Sequence, residues 1–417
     1  MIYISELLLW TAFMISTFFL VFWMLVFIEQ DTKTFYSRKK LTSFPFVSIL
    51  VPAYNEEAHI EETLTKLAEL DYPADKHEII IINDGSKDRT EKKIKQFIAF
   101  SNKRNFILIN QENKGKGAAM NEGLRKAKGD FFVCLDADSY PEKNILKKCL
   151  PYFEDPEVAI VLPLLKVSKT NTYLQKIQRV EYLINLFYKK LMSLLDCVHV
   201  SPGPFSIYRT EVIRKLGGFD EKNLVEDMEI SLRVQKHQFK IVQSFDALVY
   251  TNAPKNYYGF YKQRNRWYKG SIINMIKYRS FLFNKKYGDF GFIQTPFVLL
   301  AGVLALTLIF ITLYRIITPI YNLIIDLSYV KFDILTFLNN LVFNFNILDY
   351  NYLYLYLGII VLSLGLTFIF LSHKYTYESG KQNKWSILFY LTLNATLLSF
   401  VWIGIAFDFL IGKIQKW

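Results

Sequence analysis

The chain has 417 residues, of which 52% are hydrophobic and 17% aromatic, and its formal net charge at pH 7 is +12. This apolar fraction is too high for an ordinary soluble protein and indicates membrane segments. The positive charge raises nucleic-acid binding as an alternative, but no nucleic-acid module is recognisable, so we expect no nucleic-acid partner. A surface held against anionic lipid explains the charge more simply, which makes membrane lipid a predicted partner.

An uncharged apolar run opens the chain at residues 7–28. Its length suits a helix across a hydrocarbon core of about 30 Å. No small-residue cleavage site follows it, so the run is typical of a signal-anchor. We therefore predict an N-terminal transmembrane helix within residues 1–30.

Short β-branched runs then alternate with polar, helix-like stretches between about residues 44 and 253, and the predicted domain spans residues 31–253. Such alternation predicts βαβ units and an α/β domain with a mainly parallel sheet. The four strand candidates are residues 46–54, 77–86, 105–111 and 130–138.

Polar residues stand at the ends of three of these strands: Tyr54 and Glu56, then Asp84, then Asp136 and Asp138. Ligands of open α/β sheets bind at the carboxyl ends of the strands. An isolated aspartate there is as often a turn former or a helix cap. Asp136 and Asp138 form a DxD motif. Their two carboxylates repel each other unless a cation lies between them, and such oxygen ligands suit Mg²⁺ or Mn²⁺.

Three further segments carry candidate chemistry. Residues 113–123 place glycines and lysine at a helix start, which indicates a phosphate contact or simply a tight turn. Glu226 and Asp227 precede a helix, where they either complement its dipole or supply a general base. Within residues 254–290, predicted as amphipathic helices at the interface, Gln263, Arg266 and Trp267 share one helical face. The surrounding residues predict an anchor on the membrane surface: the cations Lys262, Arg264 and Lys269, and the tyrosines Tyr257, Tyr258, Tyr261 and Tyr268.

The C-terminal region, residues 291–417, contains three more apolar runs, at 292–317, 352–372 and 386–411. Residues 318–350 are broken by charges and are predicted to form an interfacial or re-entrant piece. The distribution of lysine and arginine near the spans predicts that the α/β domain faces the cytoplasm. The residues that favour this orientation are Lys33, Arg38, Lys39, Lys40, Lys374, Lys381 and Lys384, and those that oppose it are Lys413 and Lys416.

Taken in order, the motifs resemble those of the membrane-embedded family 2 glycosyltransferases, a group with the GT-A fold that includes hyaluronan, cellulose and poly-N-acetylglucosamine synthases. The resemblance covers residues 44–285 and the flanking helices. Its motifs are Pro52–Glu56, Asp84, Asp136 with Asp138, Glu226 with Asp227, and Gln263, Arg266 and Trp267. Val225 stands where many family members have threonine, but the two carboxylates after it remain.

The resemblance implies roles for these residues. Tyr54, Glu56, Asp84 and Lys116 would hold the uridine of a UDP-sugar, and Asp136 and Asp138 would engage its diphosphate, with Asp138 a direct ligand of Mg²⁺ or Mn²⁺. Asp227, beside Glu226, would be the catalytic base. Gln263, Arg266 and Trp267 would close over the diphosphate and shape the acceptor site, and Gly203 and Pro204 would line the acceptor pocket.

The function that the resemblance implies is inverting transfer from a UDP-sugar to a growing β-linked polysaccharide by a processive, multi-pass enzyme of the cell membrane. A second candidate is a glycolipid synthase like ceramide glucosyltransferase, which adds one sugar to a lipid acceptor. A third is a membrane-tethered nucleotide-sugar sensor or transporter accessory without enzymatic activity. Larger polymer synthases have more than four membrane helices, so either an export channel requires a small membrane partner subunit or a second copy, or the protein has no channel.

Overall fold

The computed structural model of the protein describes residues 2–29, 41–101, 105–339, 352–376 and 384–413. The chain divides into two compact units. One comprises residues 1–28 and 297–370, and the other comprises residues 29–296 and 371–417. The second unit contains the sheet and all the residues that the motifs single out.

An eight-stranded sheet forms the centre of the second unit in the part of the chain that the structure describes, with the order β3-β2-β1-β4-β7-β6-β8-β5. β1 pairs in parallel with β2 and β4, and β2 with β3, whereas β7 runs antiparallel to β4 and β6. The predicted strands thus form the parallel half of a mixed sheet, and the α/β class is confirmed. The strands are β1 Val47–Ala53, β2 His77–Asp84, β3 Phe106–Gln111, β4 Phe131–Cys134, β5 Tyr140–Pro141, β6 Val158–Val167, β7 Ser206–Arg209 and β8 Lys240–Thr251.

Helices follow the first three strands, as the alternating pattern predicts. Gly123 shows how closely one of them lies on the sheet, because a Cβ there would stand 2.9 Å from Ile82 Cδ1 and 3.2 Å from Leu50 Cδ1. The helices are α1 Ile2–Glu29, α2 Ile60–Ala68, α3 Thr90–Ser101, α4 Lys116–Lys126, α5 Ile145–Cys149, α6 Tyr173–Leu194, α7 Thr210–Lys215, α8 Glu226–Lys236, α9 Tyr257–Lys277, α10 Thr295–Tyr329, α11 Ile334–Asn339, α12 Tyr352–Tyr375 and α13 Lys384–Leu410.

Two long helices of the second unit, α6 and α9, begin at side-chain caps. The Thr172 hydroxyl accepts from the Gln175 amide in a reciprocal capping box at the start of α6. The Asn256 side chain accepts from the Gly259 amide at the start of α9. Each cap satisfies a backbone donor that the helix itself leaves free, which is why both helices begin where they do.

Among the described residues four helical segments are long and apolar enough to cross a membrane, which is the number that the sequence predicts. They are Glu6–Glu29, Phe290–Tyr329, Tyr352–Tyr375 and Lys384–Leu410. Some residues of the predictions lie outside the described ranges: Lys33, Arg38, Lys39, Lys40, Lys381 and Lys416, and Asp349, one of the charges that break the 318–350 linker.

The structure corrects the prediction for the 318–350 linker. α10 runs through Pro319 to Tyr329, so residues 318–329 extend a membrane-length helix. Membrane helices tolerate an internal proline, and a single carboxylate, Asp326, interrupts an otherwise apolar stretch. Residues 318–329 are therefore a continuation of the preceding helix and not a separate re-entrant piece, and their position at the membrane interface stays a prediction.

The last helix, α13, belongs to the same unit as the sheet. It packs on α6 and α9, where Tyr268 of α9 stacks on Trp402 with ring centroids 5.0 Å apart. Phe260, Val401 and Ile405 form a buried apolar cluster at this contact. One membrane-length helix is thus built into the unit that holds the candidate site.

Candidate active site

The sheet brings the predicted polar residues to one edge. β2, β1 and β4 are neighbours and run in parallel, so their carboxyl ends lie side by side. Residues that end or directly follow these strands therefore meet there. They are Tyr54 and Glu56 after β1, Asp84 at the end of β2, and Asp136 and Asp138 after β4.

Asp84 is buried and holds the loop that leads into α4. Its Oδ1 accepts from Gln111 Nε2 at 2.7 Å and from the Lys114 amide at 3.0 Å, and its Oδ2 accepts from the Gly115 amide at 2.9 Å. Gly115 has φ of 92°, a conformation that favours glycine. This loop delivers Lys116, the first residue of α4, to the edge of the sheet.

Lys116 joins two of the motifs. Its ammonium lies 2.6 Å from Asp136 Oδ1 and 3.3 Å from Glu226 Oε1. Burial alone would lower its pKa, but Asp136, Glu226 and Asp227 raise it above the usual range, so the cation is permanent. A fixed positive charge here suits a diphosphate, whereas the family resemblance assigns this lysine to the uridine.

Gly203 lies against this ion pair. A Cβ at this position would stand 2.5 Å from Lys116 Nζ and 2.9 Å from each Asp136 carboxylate oxygen. No side chain fits without displacing the pair, which explains a glycine in the segment before β7. Pro204 follows in the same turn and is partly exposed.

Carboxylates accumulate next to the DxD. Burial, with Asp138 and Asp136, raises the pKa of Glu56 to about 7. Burial and Asp136 also raise the pKa of Asp138. Asp136 is paired with Lys116, so an excess of carboxyl groups remains at Asp138 and Glu56, and their raised pKa values show that a negative charge on these groups is unfavourable without a cation.

This excess fits a divalent cation. Within the described ranges no three histidine, cysteine, aspartate or glutamate side chains come together as a complete metal site. Mg²⁺ usually binds one or two carboxylates together with substrate phosphates and water, so a complete protein cage is not required. Asp138, with Asp136 beside it, meets that pattern.

Tyr54 stays at the surface of this edge, with 44% of its side chain exposed. The loop that carries it is fixed to the loop after β2: the Asn55 amide donates to Ser86 Oγ at 3.1 Å, and the Lys87 amide donates to Asn55 Oδ1 at 2.8 Å. An exposed aromatic ring on a fixed loop is suited to stacking against a planar base.

Glu226 and Asp227 form the first turn of α8, as predicted. Glu226 is buried beside Lys116, whereas Asp227 is partly exposed. Burial and the Glu226 carboxylate raise the pKa of Asp227, while Lys116 and Arg266 act to lower it. A carboxylate with a raised pKa between two cations is suited to accepting a proton from a hydroxyl group.

α9 lies across the start of α8. Asn223 Nδ2 donates to Asn274 Oδ1 at 2.7 Å, which ties α9 to the segment directly before α8. Gly270 of α9 faces Val225 so closely that a Cβ there would clash with the Val225 side chain. Arg266 lies one turn before Gly270 and is thereby brought within electrostatic range of Asp227.

Two cations of α9 are not interfacial, which corrects the prediction. Arg264 Nη2 lies 2.8 Å from Glu181 Oε2, and Lys269 Nζ lies 2.5 Å from Asp408 Oδ2, with both cationic side chains almost fully buried. The Arg264 guanidinium also lies 4.5 Å from the Trp267 ring centroid. These cations hold α9 against α6 and α13 instead of anchoring it on lipid.

The tyrosines of α9 divide in the same way. Tyr268 and Tyr261 pack against α13, so they do not belong to a lipid-facing stripe. Tyr258 has 76% of its surface exposed and Tyr257 has 38%, and Lys262 is exposed as well. The surface-anchor interpretation therefore holds only for the first turns of the helix.

Gln263 and Trp267 share the helical face of Arg266, because α9 is continuous from Tyr257 to Lys277. Gln263 Oε1 is buried and has no hydrogen-bond partner in the part of the chain that the structure describes. An unpartnered buried amide oxygen costs free energy unless a ligand satisfies it. This face is thus suited to contact a substrate.

Glu181 and Asp408 were missed by the sequence analysis. Each is a single carboxylate within an otherwise apolar pattern, one on the buried face of α6 and one near the end of a membrane-length run. Such isolated charges are a signal in themselves, because a buried carboxylate requires a cationic partner.

Comparisons with known proteins concern the family and the fold. Residues 48–217 match the family model described as glycosyl transferase family 2. The chain is 30% identical over 298 residues to the probable glycosyltransferase YdaM of Bacillus subtilis, which covers 66% of this chain and 68% of that protein. It is 32% identical over 228 residues to the poly-beta-1,6-N-acetyl-D-glucosamine synthase of Staphylococcus aureus, where the match covers 54% of each chain.

A solved structure also shares the fold. The mannosyltransferase PcManGT of Pyrobaculum calidifontis, in complex with GDP-Man and Mn²⁺, superposes with a TM-score of 0.61 and covers 88% of this chain and 98% of its own. The two chains are 18% identical, so this likeness concerns the fold alone.

Proposed function

The chain belongs to glycosyl transferase family 2, and from this premise we propose that it transfers a sugar from a UDP-sugar to a growing β-linked polysaccharide at the membrane. The observation that carries the proposal is Lys116, whose ammonium contacts both Asp136 of the DxD and Glu226 beside Asp227. Lys116 therefore connects the DxD motif, which is suited to a diphosphate, with the helix turn that carries Asp227, the carboxylate suited to act as catalytic base.

The diphosphate of the donor would lie against Lys116 and the DxD motif. The uracil ring of the donor would stack on the exposed ring of Tyr54. Asp138, with Asp136, would hold Mg²⁺ or Mn²⁺. When bound, the metal supplies Lewis-acid stabilisation of the departing diphosphate. Arg266 brings a further positive charge to the same region, where negative charge develops as UDP leaves.

Asp227 would take the proton of the acceptor hydroxyl. The hydroxyl oxygen forms a bond to the anomeric carbon while the bond from that carbon to the diphosphate oxygen breaks, and UDP leaves with the electron pair. One carboxylate suffices, because a single displacement needs no protein nucleophile. An α-linked UDP-sugar therefore yields a β-linked product.

The polymeric acceptor is supported by the similarity to the poly-beta-1,6-N-acetyl-D-glucosamine synthase, although that match spans about half the length of the relative. The lysine and arginine residues near the spans support a cytoplasmic location of the site. An export path is supported by the packing of one membrane-length helix, α13, on α9. With four membrane-length helices among the described residues, we propose that a small membrane subunit or a second copy completes that path.

The test uses the full chain in lipid, supplied with radiolabelled UDP-sugars and Mg²⁺ or Mn²⁺, with the products separated by size. A labelled product of high mass supports polysaccharide synthesis. A single labelled lipid would instead identify a glycolipid synthase. UDP binding without turnover of any UDP-sugar would overturn the proposal.

A further inference from the structure

A second polar cluster lies next to Asp227 and belongs to none of the motifs. Lys189 stands in the last turns of α6, His199 in the segment between α6 and β7, and Gln294 at the end of the π-helical turn Phe290–Gln294. π-Helical turns occur frequently at functional sites.

The segment that carries His199 is fixed along α8. Gln235 Nε2 donates to the Val198 carbonyl at 2.9 Å. Ser201 Oγ donates to the Asp227 carbonyl at 3.0 Å. His199 lies between these two fixed points, so it is held beside the helix turn that carries the candidate base.

His199 and Gln294 form a defined pair. Gln294 Nε2 lies 3.0 Å from His199 Nδ1. An amide nitrogen only donates, so Nδ1 accepts, and the proton of the neutral ring is on Nε2. Burial and Lys189 lower the pKa of His199 to about 4, which keeps the ring neutral at physiological pH.

Gln294 leaves an acceptor unused. Its side chain is 1% exposed, and Oε1 has no hydrogen-bond partner among the residues that the structure describes. The pair thus offers one acceptor, Gln294 Oε1, and one donor, the His199 Nε2–H. A sugar hydroxyl both donates and accepts, so it matches such a pair better than a phosphate does.

Lys189 adds a cation to this cluster. It lies within electrostatic range of Asp227 and of His199. Its ammonium group forms no ion pair or hydrogen bond with another side chain or backbone group in the described part of the chain. Its three N–H donors therefore remain for the oxygen atoms of a ligand.

We propose that Lys189, His199 and Gln294 bind the hydroxyl groups of the acceptor sugar and position the reacting hydroxyl at Asp227. This inference rests on the proposed function and deepens it by naming acceptor residues outside the motifs. The diphosphate of the donor already has Lys116 and the DxD, whereas the neutral pair of this cluster suits an uncharged carbohydrate. The three residues act by positioning, because the proton passes to Asp227.

The test compares Gln294→Leu with the control Gln243→Leu, which alters another buried glutamine with an unpartnered Oε1, on β8. The full chain in lipid receives the UDP-sugar that the unaltered protein consumes and a soluble tetrasaccharide of that sugar. Loss of the hydrogen bonds should raise the acceptor KM of Gln294→Leu about tenfold. Donor KM and the slow hydrolysis of the UDP-sugar by water should not change, and the control should keep its acceptor KM.

A second comparison covers the case in which Gln294→Leu does not fold. His199→Gln keeps a side-chain donor and should retain most of the acceptor affinity that His199→Leu loses. Unchanged acceptor KM in both leucine variants would overturn the inference and leave the proposed function intact. No transfer from any UDP-sugar by the unaltered protein would overturn the proposed function and this inference with it.

Discussion

Lys269 and Asp408 form an ion pair between the helix that carries Gln263, Arg266 and Trp267 and the last membrane-length helix, with 2.5 Å between Lys269 Nζ and Asp408 Oδ2. Asn265 Nδ2 also donates to the same carboxylate oxygen at 3.3 Å. Only 4% of the lysine side chain is exposed. The pair therefore couples the position of α9, and with it Arg266, to the position of α13.

Removal of one partner of this pair should be costly. Asp408→Asn leaves the Lys269 ammonium buried without its carboxylate, which should lower stability by about 3–5 kcal/mol. The double variant Lys269→Met with Asp408→Leu should recover most of that loss, because apolar side chains replace the pair. Thermal unfolding in detergent of Lys269→Met, Asp408→Leu and the double variant gives the coupling energy between the two residues, and additive losses would contradict the ion pair.

Site residues that local sequence patterns mark could be predicted, whereas contacts between residues far apart in the sequence could not. Asp84, Asp136 and Asp138 stand at strand ends, and local patterns of apolar residues locate those ends. Lys269 and Asp408 are 139 residues apart, and nothing local distinguishes a buried lysine from one at a lipid interface. The order β4-β7-β6-β8 likewise depends on long-range pairing, so only the parallel half of the sheet could be derived from the sequence.

Asp227→Asn should abolish sugar transfer and retain UDP binding. The amide keeps the size of the carboxylate but cannot take the acceptor proton, so the rate should fall about 10²- to 10⁴-fold. UDP affinity, measured by calorimetry, should stay close to that of the unaltered protein, because Lys116 and Asp136 remain. Retention of full transfer activity would show that another group is the base.

The pH dependence of transfer should depend on Arg266. The base works as a carboxylate, so kcat/KM falls as the pH drops through the pKa of Asp227, which burial and Glu226 raise. Arg266 lowers that pKa by stabilising the charged form. Arg266→Gln should therefore move the acid limb of the profile to higher pH. Lys262→Gln, an exposed cation on the same helix, serves as the control and should not move it.

Gly203→Ala should weaken donor binding and catalysis together. The added Cβ would approach Lys116 Nζ to 2.5 Å, so the Lys116–Asp136 pair must shift. A displacement of about 1 Å at a reacting centre costs roughly 10²-fold in rate. Gly358→Ala, in a helix position with no atom within 4 Å of the added Cβ, provides the matched control. Equal kcat/KM for the two variants would contradict the close approach of Gly203.

Asp138→Asn should lower the affinity of the protein for the proposed divalent metal. Burial and Asp136 raise the pKa of Asp138, and a cation between these carboxylates would relieve that repulsion. The amide removes the negative charge of a direct metal ligand. Loss of a residue that only bonds to a metal ligand lowers metal affinity roughly 10- to 100-fold, so the apparent Mn²⁺ affinity of Asp138→Asn should fall by more than that. Asp88→Asn, a carboxylate in the neighbouring loop that also acts on Glu56, controls for the general loss of negative charge. Titration of transfer activity and of UDP binding with Mn²⁺ measures both variants, and equal Mn²⁺ affinities would exclude Asp138 as the metal ligand.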